Sequence, residues 1–163
     1  MQEKQHKKRI RIYSLLTIFV MCFIFIMSAQ DGERSRALSD SFLGSLIGSF
    51  LEKTLPRLSD KGTAYDLRKY AHMFEFLCLG VSSSLLMFEL LLHRGHRMLK
   101  APVTAILFCF FYACSDEWHQ TFVSGRAGRF SDVLVDSMGF LAGILTISCV
   151  ILGKSLDKRG KKG

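Results

Sequence analysis

The sequence predicts an all-α integral membrane protein, a four-helix bundle with cytoplasmic N and C termini and an additional extracytoplasmic amphipathic helix. Three observations predict this class. Apolar residues make up 49% of the 163 residues, although the formal net charge is +8. The charges gather in short stretches between long apolar runs, whereas a soluble domain would spread them along the chain. Four of these runs are long enough to span a membrane, since about 20 residues cross a bilayer as a helix.

The first predicted span covers residues 12–29, which carry no charge and follow a basic stretch. This apolar run is longer than the roughly 7–15 residues of a signal-peptide core, so we expect an uncleaved anchor. The other spans cover residues 67–92, 101–123 and 132–152. Pro102 suits the first turn of the third span, where its missing N–H is not needed. The length of the chain predicts one domain over residues 1–163.

The distribution of basic residues predicts the orientation of the bundle. With four spans, both tails and the loop 94–100 lie on one side. Five Lys and Arg fall in the first eleven residues, three in that loop and five in the last ten, which is more than half of the 22 in the chain. The positive-inside rule therefore places this side in the cytoplasm. Anionic lipid attracts such residues, so the basic pI indicates the lipid bilayer as a partner and calls for no nucleic acid.

The long loop after the first span contains a second apolar pattern, over residues 37–55. Leucine, isoleucine and phenylalanine recur there at spacings of three and four, with serine, glycine and acidic residues between them. This pattern predicts an amphipathic helix that lies on the outer leaflet or caps the bundle.

The second span carries ionisable side chains near its start, namely Arg68, Lys69, His72 and Glu75. Spacings of four and three place Arg68, His72 and Glu75 on one helical face. At about 1.5 Å per residue, Glu75 lies about 10 Å deeper than Arg68. Because ionisable side chains inside a bilayer are costly, they mark function more often than surface charges do.

The third and fourth spans place further polar residues at the same depth. The third span runs outward and ends in a polar stretch, a short loop with two arginines follows, and the fourth span begins with two acids one turn apart. These residues are Asp116, Glu117, His119, Gln120, Arg126, Arg129, Asp132 and Asp136. Antiparallel topology alone brings these helix ends together. The sequence therefore predicts one polar site near the extracytoplasmic face.

Two roles are predicted within this site. The candidate catalytic residues, as acids, bases or orienting carboxylates, are His72, Glu75, Asp116, Glu117, His119 and Asp136. The candidate substrate-binding residues are Arg68, Lys69, Gln120, Arg126, Arg129 and Asp132. The spacing matches no established metal motif such as HExxH, so we expect a hydrogen-bonded network and no cofactor. A divalent metal remains the alternative, because enough nitrogen and oxygen ligands are present.

The cationic and imidazole groups each have a structural alternative. His72 and Glu75 could form an acid–base pair, or a buried pair that holds two helices together. Arg126 and Arg129 could bind a phosphate or carboxylate in forked fashion, or they could pair with nearby acids as a clamp.

The start of the fourth span also admits two interpretations. Asp132 and Asp136 could complete a catalytic carboxylate set, or they could be first-turn acids favoured by the helix dipole. Asp136 lies deeper and is the better functional candidate. Gly139 and Gly143 form a GxxxG pattern, which predicts close packing against another helix.

The motifs of this site resemble those of the VanZ-like family of bacterial membrane proteins. The resemblance rests on SDEWHQTFVSGR at residues 115–126, DVLVD at 132–136, RKYAHMFE at 68–75 and SAQD at 28–31. It covers nearly the whole chain and implies a multi-pass protein of the cell membrane. The family is named for a protein linked to low-level resistance to the glycopeptide teicoplanin. Many members carry Tyr where this chain has Phe76 and Pro where it has Ser124.

Three functions follow as hypotheses. The first is an enzyme at the outer leaflet that acts on a lipid-linked or cell-envelope substrate and affects glycopeptide sensitivity. It would hydrolyse or transfer a phosphate or acyl group without a covalent intermediate, since no GxSxG or other nucleophile motif is present. The second is a non-enzymatic binding protein for a glycopeptide, lipid or envelope precursor. The third is a proton-coupled transporter, which ranks last because only Glu89 continues the ionisable residues inward.

Overall fold

The computed structural model describes residues 2–30, 63–93, 99–126 and 128–160. Within these ranges the chain forms four helices and no strand, which confirms the predicted all-α fold. The helices are α1 (Gln2–Ser28), α2 (Thr63–His93), α3 (Lys100–Gln120) and α4 (Phe130–Gly160). The amphipathic helix predicted over residues 37–55 lies outside the described residues, and so do residues 94–98 of the loop that is predicted to be cytoplasmic.

The described helices α1, α2 and α4 are long and apolar enough to cross a membrane. Each extends beyond its predicted span, because helical hydrogen bonding continues into the polar flanks while hydropathy marks only the apolar part. The third predicted span differs. Its helix α3 ends at Gln120 rather than at residue 123, and a turn with Gly125 at φ 71° follows. The 21 residues of α3 extend about 31 Å. The acidic pair Asp116 and Glu117 lowers the mean hydropathy of this helix, so α3 is not among the described helices that are apolar enough to cross a membrane.

Helix α2 is the centre of the bundle and contacts α1, α3 and α4. Successive helices run antiparallel, as the contacts at their ends show. Ser28 at the end of α1 and His72 near the start of α2 both reach Asp116 near the end of α3. At the opposite end of the bundle, His6 of α1 lies 2.8 Å from Glu89 of α2. The end that holds Ser28, His72 and Asp116 therefore collects the polar residues of four helices.

Glycines bring α2 and α4 into backbone contact. A Cβ atom on Gly139 would collide with the carbonyl oxygen of Met73, and one on Gly143 would collide with that of Leu77. Gly80 of α2 packs in the same way against the backbone of Phe140. The close packing predicted from Gly139 and Gly143 is thus present. Because Met73 follows His72, this contact also sets the distance between His72 and the first turns of α4.

The apolar side chains divide between the interior and the outside of the bundle. Phe76, Leu79, Cys109, Phe140 and Ile144 are buried together in the core. Many large apolar side chains point outward instead, among them Leu15, Phe19, Phe23, Phe111, Met138 and Leu145. A soluble monomer rarely exposes so much contiguous apolar surface, whereas lipid accommodates it.

Candidate functional site

Asp116 is the centre of a buried polar cluster at this end of the bundle. Its side chain is almost fully buried, and its Oδ2 atom accepts three contacts. Ser28 Oγ donates from α1 at 2.9 Å, Gln120 Nε2 donates from one turn further along α3 at 2.9 Å, and His72 Nε2 lies 3.1 Å away on α2. The other oxygen, Oδ1, is buried and has no hydrogen-bond partner within the described part of the chain. Asp116 is therefore held through Oδ2, while Oδ1 makes no hydrogen bond to the described residues.

The imidazole of His72 lies between carboxylates. Its Nδ1 atom is 3.0 Å from Glu75 Oε2, one turn further along α2. Its Nε2 atom faces Asp116 and also lies 3.7 Å from Asp136 Oδ2 on α4. The edge of the ring packs against buried Phe76 at a centroid distance of 5.1 Å. Since a neutral imidazole donates from only one nitrogen, the ring can donate to two ionised carboxylates only when it carries two protons.

Two further carboxylates lie next to His72. Asp136 is 2% exposed, and its Oδ2 atom has no hydrogen-bond partner in the described ranges. Glu117 is 6% exposed and accepts a 2.9 Å hydrogen bond from the backbone N–H of Arg129 through Oε2. One ligand atom each from His72, Glu117 and Asp136 lies within 4.8 Å of the others. Carboxylates from three helices thus converge on one imidazole.

Cationic side chains near the cluster make contacts at its margin. Lys69 Nζ pairs with Asp132 Oδ1 at 2.9 Å, which joins the starts of α2 and α4. Arg126 donates from Nη2 to the carbonyl oxygen of Met27 at 2.9 Å, which fastens the loop after α3 to the end of α1. Arg129 contributes its backbone N–H to Glu117 and leaves its side chain exposed.

The structure brings together most of the predicted site residues. His72, Glu75, Asp116, Gln120 and Asp136 share the cluster, and Glu117 lies at its edge. We call these six residues, with Ser28, the Asp116 cluster. Lys69, Asp132, Arg126 and Arg129 surround it, while the Arg68 side chain lies outside the described residues. Both the catalytic pairing and the structural pairing expected for His72 with Glu75 are compatible with this geometry.

His119 takes a different direction from its neighbours Asp116 and Gln120. Its ring stacks on Phe25 of α1, with centroids 4.5 Å apart and planes 21° apart. Its Nε2 atom is buried without a hydrogen-bond partner among the described residues. His119 therefore faces α1, whereas His72 makes the imidazole contacts with Asp116.

Ser28 and Phe76 contribute to the site without having been predicted as site residues. Ser28 is fully buried, and its hydroxyl group is one of the donors to Asp116. A serine at the end of an apolar helix carries no charge and no characteristic spacing. The only signal available was its place in the SAQD stretch that resembles the family pattern.

A helical bundle with three helices apolar enough to cross a membrane, exposed apolar surfaces and a buried cluster of carboxylates and histidine defines a polytopic membrane protein with a buried polar cluster. The family model VanZ/LLP1 matches residues 13–152 of the chain. The protein therefore belongs to the VanZ/LLP1 family, as its motifs predicted. No curated protein and no solved structure was found to match the chain.

Proposed function

We propose that the protein is an enzyme that works at the outer leaflet of the cell membrane and acts on a lipid-linked or cell-envelope substrate. The reaction is hydrolysis or group transfer at a phosphate or acyl centre. The observation that carries this proposal is the state of Asp116, whose Oδ2 has three partners while its buried Oδ1 has no described partner. A carboxylate held in this way is suited to take a proton from an attacking water or hydroxyl group.

The residues around Asp116 act as positioning residues in this scheme. Ser28 and Gln120 hold the carboxylate through Oδ2, which fixes the direction in which Oδ1 points. His72 contacts the same oxygen of Asp116 through Nε2, and Glu75 in turn orients the imidazole through Nδ1. After Asp116 accepts the proton, the same carboxyl group can return it to the leaving group.

An anionic substrate group has a partner at the margin of the cluster. The side chain of Arg129 is exposed next to Glu117, and a guanidinium group binds phosphate or carboxylate oxygens through two parallel hydrogen bonds. The apolar outer surface of the helices would hold the lipid part of such a substrate in the bilayer. The positive-inside distribution of Lys and Arg supports an outward-facing site.

A binding protein without turnover is the second candidate. The observation in its favour is that Asp116 and Asp136 are 3% and 2% exposed, so a substrate reaches them only if neighbouring groups move. This candidate predicts stoichiometric binding of a glycopeptide, lipid or precursor, with no product.

Proton-coupled transport has less support from the described helices. A transport route has to continue from the Asp116 cluster to the pair formed by His6 and Glu89 at the other end. Between them the buried face of α2 carries Phe76, Leu79 and three serines. Ser82 and Ser83 donate to carbonyl groups of their own helix, and no charged residue stands between Glu75 and Glu89 on α2.

The substitution Asp116→Asn tests the enzyme directly. The amide keeps the shape of the side chain but cannot act as a base, so we expect turnover to fall by about 100-fold or more. The assay incubates the purified full chain with a bacterial envelope lipid extract and detects products by mass spectrometry. Teicoplanin susceptibility of a host that expresses each variant gives a cellular readout.

Glu89→Gln, at the other end of the bundle, is the matched control. Full turnover in Asp116→Asn at normal protein levels would exclude Asp116 as the base, and binding without any product would favour the second candidate.

A further inference from the structure

We infer that the Asp116 cluster contains a binding site for a divalent transition-metal cation, with His72 Nε2, Glu117 and Asp136 as its protein ligands. The ligand atoms come from α2, α3 and α4 and lie within 4.8 Å of one another. This inference goes beyond the proposed reaction, because a metal can bind whether or not the protein turns over a substrate.

The charge of the cluster favours a bound cation. Glu75, Asp116, Glu117 and Asp136 surround the single imidazole of His72, and all four carboxyl groups lie at or near this buried end of the bundle. Carboxylates close together in a low-dielectric interior repel one another and require a compensating positive charge. Of the three cations at the margin, Lys69 pairs with Asp132, Arg126 donates to the Met27 carbonyl group, and Arg129 is exposed. A bound divalent cation would balance the carboxylates.

Independently of charge, the cluster contains buried oxygen atoms that could serve as metal ligands. Asp136 Oδ2 and Asp116 Oδ1 are both buried and have no hydrogen-bond partner within the described ranges. Buried polar atoms normally have a partner, and each exception calls for a water molecule, an ion or a functional role. Asp136 Oδ2 lies 3.7 Å from His72 Nε2, so the unused oxygen is directed at the proposed ligand nitrogen.

The orientation of His72 also suits a metal ligand. A histidine that binds a metal through one nitrogen usually donates its other N–H group to a carboxylate, which fixes the tautomer. Glu75 Oε2 lies 3.0 Å from His72 Nδ1 and provides this acceptor. The Nε2 atom then presents its lone pair toward Glu117 and Asp136.

The dimensions of the site suit such an ion after a small adjustment. Ligand atoms about 2.1 Å from a tetrahedral metal are about 3.4 Å apart, so this group, whose atoms lie within 4.8 Å of one another, has to contract by up to about 1.4 Å. His72 Nε2 would exchange its contact with Asp116 for the metal, while Ser28 and Gln120 continue to hold Asp116. One nitrogen and two oxygen ligands suit Zn²⁺ or Mn²⁺ better than they suit Ca²⁺ or Mg²⁺, which prefer oxygen ligands alone. Three protein ligands also leave a coordination position for water or a substrate oxygen.

Mn²⁺ is the probe for this site, because electron paramagnetic resonance reports both its binding and its ligands. The full chain, purified in detergent and freed of metals, is titrated with MnCl₂ and the loss of the free-ion signal is followed. We expect one strongly bound Mn²⁺ per chain, displaced by Zn²⁺, with spin-echo modulation from a directly bound nitrogen. His72→Ala should remove both the strong binding and the nitrogen signal. Asp136→Asn and Glu117→Gln should each weaken binding by at least about tenfold.

Two further variants separate a ligand from its neighbours. Glu75→Gln should weaken binding by about 10–100-fold and keep the nitrogen signal, as expected for a residue that only orients the imidazole. Glu89→Gln should bind like the unaltered protein. No binding of millimolar Mn²⁺ or Zn²⁺ by the unaltered protein would overturn the inference and indicate that protons balance the carboxylates. Binding without nitrogen modulation, or binding that survives His72→Ala, would also overturn it. These outcomes do not depend on turnover, so they are distinguishable from a failure of the proposed enzyme.

Discussion

Asp116 and His72 lie where α1, α2 and α3 meet, at the centre of the proposed site. Asp116 Oδ2 joins α1, α2 and α3 through three contacts, while Oδ1 has no described partner. The hydrogen bond from Ser28 is the only one of these contacts that reaches the cluster from α1. Ser28 is therefore expected to stabilise the bundle and to orient the carboxylate at once.

Replacement of Ser28 by alanine removes one donor to a buried carboxylate. Hydrogen bonds to charged groups typically contribute more than neutral ones, so we expect the free energy of unfolding to fall by about 1.5 kcal/mol. Unfolding by SDS in mixed micelles, followed by circular dichroism, measures this change. Ser115→Ala is the matched control, because Ser115 is exposed and donates within its own helix to Tyr112. Equal stability of Ser28→Ala and the control would contradict the role assigned to Ser28.

At the scale of the helices, the contact between α2 and α4 determines where the site forms. Gly139 packs against the Met73 backbone, and this contact lies next to both His72 and Asp136. A side chain at position 139 would push the helices apart and lengthen the distance between the imidazole and Asp136. The packing glycines therefore affect the site without contacting it.

Gly139→Ala should destabilise the bundle, because the added methyl group meets backbone atoms that cannot turn aside. Overpacking typically costs about 1–3 kcal/mol, and the unfolding measurement in mixed micelles detects a change of this size. Gly153→Ala is the control, since no atom lies within 4 Å of a Cβ built there. Because alanine favours a helix over glycine, this control should be neutral or up to about 1 kcal/mol more stable. A neutral Gly139→Ala would contradict the packing described for α2 and α4.

Much of the helical architecture could be predicted from hydropathy, and the convergence of polar residues followed from antiparallel topology. The rotation of each helix could not be predicted in the same way. Asp116, His119 and Gln120 cover a wide arc of α3, and only packing decides that Asp116 faces His72 while His119 faces Phe25. Glu89 likewise contacts His6 on another helix, a partner that local spacing does not indicate.

For the whole molecule, action on an outer-leaflet substrate requires a fixed orientation of the bundle in the membrane. The positive-inside rule predicts that the end with the Asp116 cluster faces out and that both tails face the cytoplasm. The described helices show that Ser124 lies at the cluster end and Lys154 near the other end of α4, and both are exposed.

Thiol labelling in intact cells tests this orientation. In a background whose five native cysteines are replaced, Ser124→Cys should react with a membrane-impermeant maleimide. Lys154→Cys should react only after the cells are permeabilised. The reverse pattern would place the cluster on the cytoplasmic side and would rule out an outer-leaflet substrate.

The central claim is that residues of different helices work as one coupled cluster, and a double-mutant cycle between His72 and Asp116 tests it most directly. The free energy of unfolding is measured for His72→Ala, Asp116→Asn and the double variant. A cycle between His72 and Glu89, about 25 Å apart along α2, is the control. Residues in one network typically show a coupling of about 0.5–3 kcal/mol, so we predict at least 1 kcal/mol for His72 with Asp116 and additivity for the control. Additive effects within about 0.5 kcal/mol for His72 and Asp116 would contradict the account.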